Sequence, residues 1–126
     1  MKIHQGIDLV KIQRIEKIFN RFSCRFLEKI FSKNEQIQIQ KIKINKTNKI
    51  ASKFSVKEAV VKALGTGITK GISFRDIEVL NLQNGKPTIT LHRKAKSALK
   101  NIISSDVSIS HESGFVISIV TFLTKN

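Results

Sequence analysis

Hydrophobic and polar positions follow several rhythms along this chain, and each rhythm predicts an element. Residues 3–10, IHQGIDLV, read as a short strand ending near Asp8. From Lys11 to about Phe31 the apolar residues Ile12, Ile15, Phe19, Phe22, Phe26 and Ile30 recur at steps of three and four, which is helical periodicity. The next segment, SKNEQIQIQKIKINKTNK, opens with Ser32 and Glu35 three residues apart, a capping-box pattern. Its later part, IQIQKIKIN, alternates as a strand does, and against that alternation the segment is taken as a second helix running into a basic loop. A third helix is predicted from about Asn48 to Leu64, apolar around most of its circumference and closed by Gly65.

Beyond that helix the rhythm shortens. GISFRDIEVL leads into a strand over Asp76–Leu82, QNGKP signals a tight hairpin, and a strand follows over Thr88–His92. KAKSALKNII (94–103) reads as a short amphipathic helix, and VSISH and FVISIVTFL as two strands joined by a turn at Glu112-Ser113-Gly114. The order is α+β: one domain spanning 1–126, with an antiparallel sheet and one central helix.

Composition adds little to this picture except through charge. Lys and Arg number 23 against 9 Asp and Glu, a net charge of +14. A polyanionic partner is one reading of that excess, and a basic nucleic-acid-binding module is the alternative function it suggests. The competing reading is compositional. Lysine supplies 18 of the 23 basic residues, and Ile and Asn are abundant too. The lysines are scattered, and no aromatic–basic interleaving is present. No apolar run reaches the roughly 18 residues of a membrane-spanning helix. The N-terminus MKIHQGIDLV lacks a secretory apolar core with a cleavage site. Cys24 is the only cysteine, which excludes a disulfide framework. A cytoplasmic protein is expected.

Several residues could carry chemistry. Glu58 and Lys62, four apart in the third helix, share a face flanked by Ala51, Ala59 and Ala63. They could form a surface ion pair, or face a ligand that the small residues let approach. Lys57 points about a quarter turn away from Glu58 and has no assigned catalytic role. Asp8 sits among Ile7, Leu9 and Val10, where a carboxylate needs a partner or a metal, unless it caps the next helix. GTGITKG (65–71) follows a helix, the reverse of a Walker loop. Its glycines could cradle a ligand or only end the helix. His111 closes a strand and could be structural or functional.

Together these segments resemble the holo-acyl-carrier-protein synthase family of phosphopantetheinyl transferases. GIDLV (6–10) is similar to its N-terminal motif, and KFSVKEAVVKALGTGI (53–68) to its main signature. GISFRDIEV (71–79), NGKP (84–87) and SISH (108–111) fall in the family's order and spacing. Lys53 stands where arginine is usual, which keeps the charge and loses a bidentate fork. Ser55-Val56 replaces the usual small pair.

The resemblance implies a 4′-phosphopantetheinyl transferase fold and its reaction. A serine of apo-acyl carrier protein attacks the β-phosphate of coenzyme A, leaving adenosine 3′,5′-bisphosphate. It implies Asp8 and Glu58 as ligands of Mg²⁺ (Mn²⁺ is possible), with Glu58 and Lys62 catalytic. Lys53, Lys62, Gly65, Thr66, Gly67 and His111 would contact coenzyme A. Arg14, Ile18, Arg21 and Arg25, at i, i+4, i+7 and i+11 on the first helix, would dock the acidic carrier protein. The family implies a homotrimer with active sites shared between chains, and neither nucleic acid nor membrane as partner.

Overall fold

The computed structural model describes residues 1–65 and 71–126. The chain begins with strand β1 (Lys2–Lys11), followed by helices α1 (Ile12–Ile30), α2 (Lys33–Gln40) and α3 (Lys46–Leu64). A 3-10 turn (Phe74–Asp76) leads to the hairpin β2 (Ile77–Asn81) and β3 (Pro87–Leu91). The short helix α4 (Arg93–Ala98) and the strands β4 (Ile102–Glu112) and β5 (Phe115–Thr124) complete the order. β5 lies between β1 and β4 in an antiparallel sheet, and β2–β3 form a separate antiparallel pair. The predicted α+β architecture, an antiparallel sheet around a long central helix, is the one observed.

Helix α3 is the center of the packing. Ile50, Ala51, Phe54, Val56, Ala59, Val60, Val61 and Ala63 are buried on it, contributing to two apolar clusters. One cluster includes Val107, Val120 and Phe122 of the sheet together with the hairpin's Ile77 and Val79. The other includes Ile15, Phe26 and Ile30 of α1, Phe31 and Ile39. The crossing with β1 is very close. A β-carbon on Gly6 would lie 1.8 Å from the Ala59 carbonyl oxygen, so that position admits only hydrogen. Among the described residues, no helix is long and apolar enough to cross a membrane.

Two charged groups sit at the middle of this packing. Lys57 and Glu35 are both 0% exposed, and their ammonium and carboxylate meet at 2.7 Å. Lys57 Nζ also donates to the carbonyls of Phe74 (2.9 Å) and Ile77. Glu35 accepts from the backbone N–H groups of Ser32 (2.8 Å) and Val79 (2.9 Å). Burial lowers the pKa of Lys57, and the charge and hydrogen bond of Glu35 oppose that shift.

Several boundaries differ from the sequence reading, each for a physical reason. The alternating IQIQ is helical through Gln40, as expected, because the capping box at Ser32 and Glu35 forms. Ile39 is 1% exposed and Ile37 50%, so only one of the alternating isoleucines enters the core. The predicted helix over 94–103 ends at Ala98. Asn101 is left-handed (φ 61°), and Ile102 and Ile103 beyond it belong to β4. β1 continues past Asp8 to Lys11, so Asp8 is not a helix cap. The cap position of α1 is Lys11, which makes no side-chain cap bond. α1 itself breaks at Ser23 (φ 37°, ψ −108°), whose hydroxyl donates to the Phe19 carbonyl at 3.1 Å.

Glu35→Ala is expected to destabilise the fold by about 3–5 kcal/mol, because it leaves a buried ammonium without its carboxylate. Adding Lys57→Met should recover only part of that loss, because the backbone groups that the pair satisfies stay unpartnered. Urea unfolding at neutral pH measures both, and a single-variant loss below about 1 kcal/mol would show the pair to be unimportant.

Candidate active site

β1 and α3 bring three predicted residues together. Lys62, 54% exposed, donates from Nζ to Asp8 Oδ1 at 3.2 Å. The sequence alternative, an ion pair between Glu58 and Lys62, is not formed among the described residues, because Lys62 turns to the strand instead. Glu58 is half-buried beside this pair, and its pKa is raised. Burial is the main cause and the nearby Asp8 charge adds to it, while Arg14 and Lys62 pull in the other direction. Burial and the nearby Asp8 charge thus both disfavor the charged form of Glu58.

A divalent cation between β1 and α3 would offset both effects, and the donor set fits one. Asp8 and Glu58 offer hard oxygen donors, and no cluster of three or more His, Cys, Asp or Glu side chains is present among the described residues. Such a small protein contribution suits Mg²⁺, which keeps most of its positions for water and phosphate.

Glu58 opens onto a cleft of 840 Å³ whose wall includes Ile18, Phe22, Arg25, Phe26, Phe54 and Phe74. This places part of the predicted docking stripe beside Glu58. Ile18 and Arg25 line the cleft, and the charge of Arg14 reaches Glu58. Arg14, Arg21 and Arg25 are exposed and Ile18 is half-buried. The Arg21 guanidinium lies over the Phe22 ring, 5.2 Å from its centroid. The break at Ser23 falls between Arg21 and Arg25, so the four do not share one straight helical face.

A second cavity, of 510 Å³, has a different wall: Lys49, Ser52, Lys53, Asn81, Gly85 and His111 are among its residues. His111 Nε2 lies 2.8 Å from the Ser52 hydroxyl. Lys53 reaches the cavity, yet its ammonium is engaged internally. It donates to the Val79 carbonyl (2.7 Å), Asn81 Oδ1 (2.8 Å) and Gln38 Oε1 (3.3 Å). Burial lowers its pKa to about 8. Lys49, Ser52 and Asn81 received no role from the sequence. Their only signal was proximity to Lys53 and to the NGKP turn.

Among the described residues the two cavities share no lining residue: Lys53 and His111 line one, and Glu58 lines the other. Asp8 is on β1 and His111 on β4, with β5 between them. Gly65 caps α3 in the left-handed region (φ 77°), while Thr66 and Gly67 lie outside the described residues.

The pattern that describes the 4′-phosphopantetheinyl transferase superfamily matches residues 5–120. The chain is 42% identical over 118 residues to the holo-acyl-carrier-protein synthase of Campylobacter hominis, covering 91% of this chain and 93% of that one. It is similar in structure to the Helicobacter pylori holo-acyl-carrier-protein synthase in complex with coenzyme A. The TM-score is 0.81 at 39% identity, over 94% of this chain and 99% of the other. The Bacillus anthracis synthase in complex with coenzyme A (3′,5′-ADP) gives a TM-score of 0.80 at 35% identity, over 97% and 96%.

The environment of Lys53 sets a pH dependence. Its folded pKa is depressed to about 8, so above that value the folded chain releases a proton that the unfolded chain keeps. Stability from this group therefore rises between about pH 8 and pH 10. Lys53→Met should remove that rise. Urea unfolding at the two ends of the window compares them, and parallel curves for the natural and Met chains would refute it.

Proposed function

Because the chain belongs to the holo-acyl-carrier-protein synthase family of 4′-phosphopantetheinyl transferases, we propose that Asp8, Glu58 and Lys62 carry out its reaction. The enzyme moves 4′-phosphopantetheine from coenzyme A to an acyl carrier protein. The observation that carries the assignment is the half-buried Glu58 close to the Asp8 charge, with the exposed Lys62 bonded to Asp8 Oδ1 at 3.2 Å.

In this reading the carrier's serine oxygen attacks the β-phosphorus of coenzyme A. The bond to the bridging oxygen breaks, and adenosine 3′,5′-bisphosphate departs with the electron pair. Asp8 and Glu58 hold Mg²⁺ or Mn²⁺, which supplies charge neutralisation and orientation to the pyrophosphate. Glu58 takes the serine proton, directly or through one water. Lys62 exchanges Asp8 Oδ1 for a phosphate oxygen and steadies the charge that grows on the leaving group. Its exposure makes that exchange inexpensive.

The 510 Å³ cavity takes the nucleotide end of coenzyme A, against His111 and the wall fixed by Lys53. Lys49 is an exposed cation on that wall and is placed to meet a phosphate. Gly65 lies at the end of α3 nearest Lys62, where the loop through Thr66 and Gly67 would complete the coenzyme A contacts.

Because the nucleotide cavity and the carboxylates occupy different walls of one chain, a site shared between neighboring chains accounts for both. The outward face of the sheet supports such an assembly: Ile7, Leu9, Ile117 and Ile119 are all exposed there. A homotrimer that covers this face is the assembly proposed. Arg14, Ile18, Arg21 and Arg25 guide the acidic carrier toward the cleft beside Glu58.

Incubation with apo-acyl carrier protein, coenzyme A and Mg²⁺ should raise the carrier's mass by one phosphopantetheine. No increase would sink the enzymatic reading and return attention to nucleic-acid binding. Asp8→Ala and Glu58→Ala should each lower kcat/KM by at least about 100-fold with the fold retained.

Arg14→Glu and Arg21→Glu should raise KM for the carrier roughly 5- to 10-fold and leave KM for coenzyme A alone. Equal changes for both substrates, in steady-state kinetics, would remove α1 as the docking face.

A further inference from the structure

Asp8 and Ser118 are register partners on β1 and β5, so their side chains leave the same face of the sheet, toward α3. Among the described residues, Asp8 Oδ2 and Ser118 Oγ are buried side-chain polar atoms with no hydrogen-bond partner. Ser118 is fully buried. A buried hydroxyl and a buried carboxylate oxygen are each costly when unpaired. Here the two orphans are complementary, because one is a donor and the other an acceptor.

Neighboring groups do not supply the missing partner. On its other side Ser118 faces Ile109 of β4, which is apolar. The Ser55 hydroxyl is directed at the Asp8 backbone carbonyl, at 3.4 Å. Directly opposed β-carbons in an antiparallel pair stand about 4.5–5.5 Å apart, a gap that a carboxylate and a hydroxyl close from its two sides.

We propose that Ser118 is a positioning residue for Asp8. Its hydroxyl donates to the inward oxygen Oδ2 and fixes the carboxylate so that Oδ1 faces Lys62 and the side of Glu58. The division of the carboxylate already visible supports this: Oδ1 accepts from Lys62, while Oδ2 is closed off from solvent. A second-sphere donor of this kind orients a metal-binding carboxylate and limits its rotation. The inference rests on the reading of Asp8 as a metal ligand given above.

Mn²⁺ binding, followed by loss of the free-ion electron paramagnetic resonance signal, tests it on the natural chain, Ser118→Ala and Ser118→Thr, each saturated with coenzyme A. Ser118→Ala should bind Mn²⁺ about 10-fold more weakly, and Ser118→Thr, which keeps the hydroxyl, within about threefold of the natural chain. Thermal unfolding of the same proteins without metal adds a readout of opposite sign. An unpartnered hydroxyl would be relieved by alanine, raising Tm, whereas a hydroxyl bonded to Asp8 would not.

Unchanged Mn²⁺ affinity in Ser118→Ala, a raised Tm, or equal weakening by Ala and Thr would each overturn the role of Ser118. In those cases binding by the natural chain would leave the metal reading standing. No Mn²⁺ binding by the natural chain would overturn both.

Discussion

The crossing of β1 over α3 is the contact on which the candidate site depends. A strand and a helix normally keep a layer of side chains between them. Here the Gly6 α-carbon sits so near the Ala59 carbonyl that no side chain fits at position 6. Asp8, two residues on, emerges on the same face. On the helix, Glu58 precedes Ala59 and Lys62 precedes Ala63. The close backbone approach therefore brings a carboxylate from the strand within 3.2 Å of the Lys62 ammonium. Larger side chains at 6, 59 or 63 would lift the strand and separate the groups, with no change in the groups themselves.

A second constraint holds the walls around that contact. Lys57 and Glu35 are a buried ion pair, but their value to the fold lies in what else they bind. Lys57 gathers the carbonyls of Phe74 and Ile77, and Glu35 gathers the N–H groups of Ser32 and Val79. Three segments are thereby tied to α3: the start of α2, the 3-10 turn, and β2 through Ile77 and Val79. Phe74 lines the cleft beside Glu58, and Val79 lines the 510 Å³ cavity. One internal charge pair thus supports both walls. An apolar pair could fill the same volume, but would leave these four backbone groups without partners.

Much of this was legible in the sequence, and the limits have physical causes. The periodicity of α1, the capping box at Ser32 and the glycine stop at Gly65 are local signals, and local structure obeyed them. The alanines of the α3 signature were read as admitting a close approach, but Gly6 as the group that makes it was not. Pairings across the chain were not legible. The sequence set Lys62 against Glu58, four residues away, whereas its partner is Asp8, 54 residues away. Lys57 had no assigned role, and Glu35 was only a cap. Their pairing needs α2 folded back onto α3, which no spacing reveals. Lys53 carried its charge visibly, but the three acceptors that surround it come from α2 and β2. The limit of the helix over 94–103 depended on the left-handed turn at Asn101, where Ile102 is drawn into a sheet that periodicity cannot see.

The signature helix accordingly sorts its charges by direction. Lys53 is directed to the hairpin, Lys57 to Glu35, Glu58 to the open cleft and Lys62 to Asp8. Of the four, Glu58 and Lys62 reach solvent, and Lys62 has a single exposed ion pair to exchange. The first two, held by carbonyls and carboxylates, are held too firmly to follow a reacting phosphate. This sorting also bears on assembly. With Lys53, Ser52 and His111 on one side of α3 and Glu58 on the other, a single substrate cannot be gripped at both ends by one chain unless it wraps the helix. Bringing the nucleotide wall of one chain against the carboxylates of another avoids that path, and it covers the apolar outer face of the sheet in the same step. On the proposed reading, the burial of α3 and the sharing of the site are two consequences of one arrangement. A helix packed on nearly all sides fixes Glu58, and in the proposed assembly a neighboring chain supplies the rest of the site.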